Sequence, residues 1–189
     1  MAFFSAEELL KMGFAHVGRN VRISSRASIY HPERIILNDG CRVDDFCVLS
    51  GSVTLARGVH IAAHSLVDGA DEGVHFDEFS VLAYGCYVFA VSDDYSGESL
   101  TSLTVPSKYK QKLIRGEIVF GKYSIAGTGT IVFPGASLGE GAAVGAGSIL
   151  TKPADPWTIY MGRPARKVRQ RSKKMLALAE QFRSESAAE

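Results

Sequence analysis

Residues 120 to 154, FGKYSIAGTGTIVFPGASLGEGAAVGAGSILTKPA, repeat with a period of six. Apolar residues stand at Phe120, Ala126, Val132, Leu138, Val144 and Leu150, and each is followed four places later by a small one: Ser124, Thr130, Ala136, Ala142, Ser148 and Ala154. Short strands of alternating faces turn both inward and leave two positions for a tight corner, often at glycine. Three such strands close one triangular coil of 18 residues. Stacked coils bury a continuous column and pair their backbones with the coils above and below.

The same rule runs backwards through the chain. Leading positions fall at Val17, Ile23, Ile29, Leu37, Val43, Leu49, Leu55, Ile61, Val67, Phe76, Leu82 and Val88, which brings the total to 18 strands, or about six coils. The partner four places on is small or Val in 16 of the 18; the exceptions, Glu33 and Asp71, lie where the spacing stretches to 8 and 9 residues, at HPER and GADEG. The fold class is therefore all-β, a parallel β-helix over 17–154. A cap over 1–16 precedes it, with a helix from Ser5 to Lys11 opened by the capping pair Ser5 and Glu8. A basic extension over 155–189 follows. Its apolar residues Met175, Leu176, Leu178, Ala179 and Phe182 predict a helix from Ser172 to about Arg183.

Between Val88 and Phe120 lie 26 residues more than a normal step, with 93–117, DDYSGESLTSLTVPSKYKQKLIRGE, as the excursion. A loop this long in a compact repeat domain is usually functional.

With 46% hydrophobic residues over 189 positions, the chain is one globular domain that needs no staples. Cys41, Cys47 and Cys86 all fall in small inward slots, which makes them core filler rather than disulfide or metal ligands. No apolar run is long enough to span a membrane, and the acidic start MAFFSAEELLKMG argues against export, so a cytoplasmic protein is expected. The net charge of +1 hides an asymmetry: RPARKVRQRSKK, residues 163–174, holds seven basic residues and no acid. That run is either a solvated face or an anion site. Nucleic acid is a poor partner for it, since no aromatics are interleaved.

The hexads together with GSILTKPADPWTIYMGRPARKVRQR resemble the left-handed β-helix acyltransferases that use acetyl-CoA. Gly162, Pro164, Ala165 and Lys167 stand where that family has its Gly-x-Pro-Ala-x-x-basic signature. VHIAA, SDDYSGESL and the FSAEELLKMGF start look like the galactoside and surface-polysaccharide O-acetyltransferases. The resemblance implies a left-handed coil, a homotrimer with active sites between adjacent prisms, and acetyl-CoA as co-substrate. Its pantetheine arm would lie along Gly127, Gly145, Ala146, Thr151 and Lys152, and its phosphates would meet Arg166, Lys167 and Arg169.

Acetyl transfer to a sugar hydroxyl needs a general base, most often His, and many relatives carry one in the loop after Val88. This loop has none, and no His follows His75. His60, pointing outward next to the inward Ile61, is the first candidate for the base. His64 at the next corner and His75 beside Phe76 come after it, and His16 and His31 belong to the first coil. Asp94 or Asp93, reaching over from the loop, is expected to orient that imidazole or to bind the sugar, with Tyr95 stacking on the ring and His75 on the acceptor side. An amine on a nucleotide-linked sugar demands less of a base, so N-acetylation is the alternative. A γ-type carbonic anhydrase, with zinc on His60, His64 and His75, and a non-catalytic trimeric scaffold are the other classes.

Overall fold

The computed structural model describes residues 2–186 and is a triangular prism of stacked parallel strands. The first side runs from His16–Val17 through Ile35–Leu37, Val53–Leu55 and Val74–Phe76 to Ile118–Phe120. The second stacks Arg22–Ile23, Arg42–Val43, His60–Ile61, Val81–Leu82, Ile125–Ala126 and Ala143–Val144; the third runs from Ser28–Ile29 to Ile149–Leu150. Leading residues sit in register between coils, Val43 beside Ile61, Ile61 beside Leu82, Leu82 beside Ala126. The hexad phase thus becomes the core: from coil two upward every leading residue is buried, and Phe76 stacks on Phe120 at 4.3 Å. Each buried side chain of this size contributes about 1.5–3 kcal/mol of transfer free energy.

The corners follow from the same period. Three residues after a leading position the backbone turns left-handed, at Gly40, Gly58 and Gly141 but also at Phe79 (φ 57) and Tyr123 (φ 60). Glycine meets this φ without strain, whereas the two aromatics are held in place by stacking on one another at 6.0 Å. Where the corners carry insertions, larger residues take the inward slot: Ile35, Val74 and Ile118 are fully buried, and Glu33 and Asp71 are left outside. The three cysteines are buried and unpaired; burial pushes the Cys41 thiol up to about 12 and the Cys47 thiol up to about 11.

Helix α1 (Ala6–Lys11) starts at the Ser5–Glu8 capping box and drops Leu9 onto the first coil, whose open strand edge is met by Phe3 and Phe4. The loop is entered earlier than the sequence suggests. Val91–Ser92 and Ile114–Arg115 form an antiparallel ribbon, and the solenoid resumes at Ile118.

The C-terminal end departs further from expectation. The solenoid does not stop at Ala154: that residue bridges Leu138, and Thr158–Gly162 adds to the second side with Tyr160 beside Val144. This seventh, partial turn advances 16 residues per coil instead of 18, which takes it out of the hexad phase. The basic run is not a lead into a helix either. Ala165–Gln170 folds back antiparallel on Thr158–Gly162, and α2 (Met175–Ser186) begins later and ends later than the sequence suggests. Helix α2 returns along the corner between the first and second sides, where Phe182 meets Phe79 edge-on and Arg183 reaches Glu78 (3.0 Å) and Tyr123 (2.8 Å).

Candidate active site

The outward positions of the second side, and the corner that leads from it to the third, change character from bottom to top. In the lower coils the strand residue that faces out is Arg22, Arg42 or His60; above them it is Val81, Ile125, Ala143 and Ile159. At the corner, Ala62, Ala83, Gly127 and Gly145 are all small. Coil stacking accounts for the glycines: a Cβ at Gly127 would lie 2.7 Å from the Ala146 amide nitrogen, and one at Gly145 would lie 2.7 Å from Cγ of Met161. A side effect of that packing is a strip of small residues running down the corner, half-buried at Ala83, Gly127 and Gly145 and buried at Ala62.

At the lower end of this strip stands a polar cluster. Nε2 of His60 lies 2.9 Å from Oδ2 of Asp44, and Arg42 Nε donates to Oδ1 of the same carboxylate at 2.7 Å. The Asp44 side chain is only 4% exposed, against 37% for His60. Burial pushes its carboxyl up, but the hydrogen bonds from His60 and Arg42 outweigh burial and hold it below the usual carboxylate range. His60 points outward, as its place before Ile61 requires, but its partner within the chain is Asp44 and not a loop acid. The sequence reading missed Asp44. Aligned in steps of one coil, however, it falls in a column whose other members are Ser24, Ala62, Ala83, Gly127 and Gly145, and the lone acid in that column is the signal that would have found it.

The remaining histidines do not converge on His60. His64 stacks on Phe46 at 5.0 Å on the corner, while His75, on the first side, lies 3.2 Å from Glu117 at the foot of the loop. No group of three or more metal-binding side chains occurs among the described residues.

The loop acids are engaged by the loop itself. Asp94 accepts from the amides of Ser96 (2.8 Å), Glu98 (2.8 Å) and Ser99 (2.9 Å), and the Ser96 hydroxyl and these amides hold its exposed carboxyl below the ordinary range. Asp93 lies 3.5 Å from Lys110, and Tyr95 is 76% exposed with its hydroxyl 3.2 Å from that of Ser92. The ribbon is pinned by Arg115, which donates to Glu72 at 2.6 Å. It leaves from the corner between the third and first sides, the corner opposite the second side, so within one chain it stands across the prism from His60.

The residues expected to hold the acyl carrier are spread over two corners. Gly127, Gly145 and Ala146 border the strip just described, whereas Thr151 and Lys152 are exposed at the corner from which the loop leaves. The basic residues divide too. By register Arg166 lies opposite Met161 and Arg169 opposite Ile159, on the outward face at the head of the strip. Lys167 lies opposite Tyr160 and reaches Asp155 at 3.4 Å instead. Arg171, which was not singled out, donates to the carbonyls of Tyr123 and Gly141, each at 2.9 Å. A separate groove of about 470 Å³, between Arg57, Phe79 and Arg183, brings none of the expected residues together.

No family model matches the chain. It is 35% identical over 186 residues, 97% of its length and 96% of the relative's, to a dTDP-4-amino-4,6-dideoxy-D-glucose acyltransferase from Escherichia coli. It is 28% identical over 163 residues, 86% of its length and 73% of the relative's, to the putative colanic acid biosynthesis acetyltransferase WcaF from Escherichia coli K12. Among solved structures it is similar to AntD, an N-acyltransferase from Bacillus cereus in complex with dTDP and 3-hydroxybutyryl-CoA. There the TM-score is 0.96 at 40% identity, over 99% of this chain and 100% of that one.

Proposed function

Since this chain belongs to the hexapeptide-repeat, left-handed β-helix acyltransferases and uses an acyl-CoA co-substrate, we propose that it acylates the amine of a nucleotide-linked amino-deoxy sugar, dTDP-4-amino-4,6-dideoxyglucose or a close relative. The observation that carries this reading is the likeness, over nearly the whole of both chains, to a relative named for that substrate. It displaces the sugar hydroxyl as first choice of acceptor. The loop chemistry agrees. A neutral amine attacks a thioester without being ionised first, whereas a hydroxyl needs a base at the moment of attack. A loop that offers Asp93 and Asp94 but no His suits a neutral amine, which can donate N–H bonds to carboxylates and needs no ionisation, better than a hydroxyl.

In this reading the amine nitrogen forms a bond to the acyl carbon, the carbon–sulfur bond breaks, and one amine proton ends on the departing thiol. Asp94 and Asp93 attract the acceptor amine, Tyr95 and His75 line the sugar, and His60 takes up the proton. The pantetheine arm follows Gly127, Gly145 and Ala146, with Thr151 and Lys152 contributed from the other corner. Arg166 and Arg169, supported by Lys167, meet the phosphates. The assembly is a homotrimer in which the loop of one chain lies against the second side of its neighbour.

The test is an acceptor comparison with acetyl-CoA and longer acyl-CoAs, following thiol release. The 4-amino sugar nucleotide is expected to exceed its 4-hydroxy counterpart by at least about 100-fold in kcat/KM, since a site built for an amine leaves polar groups unpaired without it. Equal or faster turnover of the hydroxyl compound would return the acceptor to a sugar hydroxyl.

A further inference from the structure

We propose that Asp44 is the positioning residue of a proton-accepting pair with His60, set at the foot of the corner strip where the thioester of the acyl carrier arrives. The inference rests on the acyl-transfer reading above and adds to it the group that orients the base.

Asp44 has no structural reason to be an acid. In the same corner position the other full coils carry Ser24, Ala62, Ala83, Gly127 and Gly145, and stacking asks only for a small residue. A carboxylate that is 4% exposed would be costly there were it not bonded on both oxygens. The bonds are directional. Arg42 donates to Oδ1, which leaves Oδ2 to receive Nε2–H of His60 at 2.9 Å. A neutral imidazole that donates through Nε2 carries its lone pair on Nδ1, so the pair fixes the tautomer and leaves Nδ1 as the proton acceptor of a partly exposed ring. The charged and titratable groups packed against the ring are Asp44 and Arg42 from the strand below, while the strand above presents Val81. Val81 offers no group that competes for the proton.

The location follows from the stacking. His60 lies five strand steps below Ala165–Gln170, the hairpin strand that carries Arg166 and Arg169, about 24 Å at the usual spacing between strands. An extended pantetheine arm, some thirteen bonds from phosphorus to sulfur, spans about 15 Å, and the diphosphate and acyl carbon lengthen it at either end. A carrier whose phosphates sit at the hairpin therefore brings its acyl carbon to the coils of Val81 and His60, beside the outward imidazole. Between the two, the strip is lined by Ala83, Gly127 and Gly145, which give a thin chain close access to the backbone. There Nδ1 takes one proton from the acceptor nitrogen as the carbon–nitrogen bond forms. The electron pair of the broken carbon–sulfur bond stays on sulfur, and the same proton is then passed to it. Asp44 keeps its own ionised state throughout.

The first measurement needs no activity. Long-range ¹⁵N–¹H NMR of the imidazole rings in the intact protein near pH 8, with the His60 signals assigned by their loss in His60→Gln, should show His60 protonated on Nε2. A dominant Nδ1–H tautomer would overturn the pairing, whether or not the enzyme turns over. The second is kinetic. Asp44→Asn should lower kcat by at least about 10-fold and leave KM for acyl-CoA within about twofold. In the same variant the His60 ring should also lose its preference for Nε2–H in the NMR spectra, because the carboxylate acceptor is gone. A variant that is merely less well packed would keep that preference. Parental kcat with the Nε2–H tautomer retained would remove Asp44 from the mechanism. If the parent protein acylates neither amine nor hydroxyl acceptors, the reaction assignment fails, and the tautomer still decides the pair.

Discussion

A guanidinium bonded to main-chain carbonyls and one facing solvent are chemically the same residue, and the 163–174 run contains both. Arg171 donates to the carbonyls of Tyr123 and Gly141, tying the end of the hairpin to two coils, and burial pulls its guanidinium pKa down. Arg166 faces outward opposite Met161. Arg171→Gln is expected to cost about 2 kcal/mol, the scale of two charged hydrogen bonds partly replaced by water, read as a lower urea midpoint at fixed protein concentration. Arg166→Gln should leave that midpoint in place and raise the apparent KM for acyl-CoA. Equal stability of the two variants would make Arg171 another surface charge. The sequence showed that this run was cationic and that it needed a reason, but which charge serves the fold depends on a hairpin whose register no local pattern reveals. His60 is the complementary case. Its outward direction was legible from the hexad phase, whereas its partner lies 16 positions away and only stacking brings the two together.

At the level of elements, the solenoid was legible because each hexad repeats one local rule, and the rule fails where the element changes. The seventh turn was hidden by its shortened step, and the hairpin by the loss of the hexad phase beyond Ala154. The loop was visible as a break in phase, but its ribbon was not, since two-residue strands carry no periodicity of their own. That ribbon makes the loop separable. Val91 pairs with Arg115 and Ser92 with Ile114, so replacing 94–112 by Asn-Gly closes the ribbon with a two-residue hairpin turn. The shortened protein should unfold within a few degrees of the parent and bind acyl-CoA within about threefold by calorimetry, yet transfer no acyl group. Turnover that survives the deletion would take Asp94 and Tyr95 out of the acceptor site.

On the scale of the whole molecule, a three-sided prism places each corner opposite a side, and here the loop and the corner strip are placed apart by that rule. The loop leaves between the third and first sides, while Asp44, His60 and the outward arginines of the hairpin belong to the second side and its far corner. One chain cannot fold its loop over its own second side without crossing the prism, but a neighbour in the proposed trimer can present that side to it. This makes complementation the sharpest test. The loop-deleted chain keeps an intact second side; a chain with Arg166→Gln and Arg169→Gln keeps an intact loop. Each alone should be inactive or weak. Refolded or co-expressed as an equal mixture, random trimers would join an intact loop to an intact second side at about one interface in four, and about a quarter of the parental activity per site should return. If each chain supplies its own loop to its own second side, the mixture stays as inactive as its components and the site belongs to a single prism.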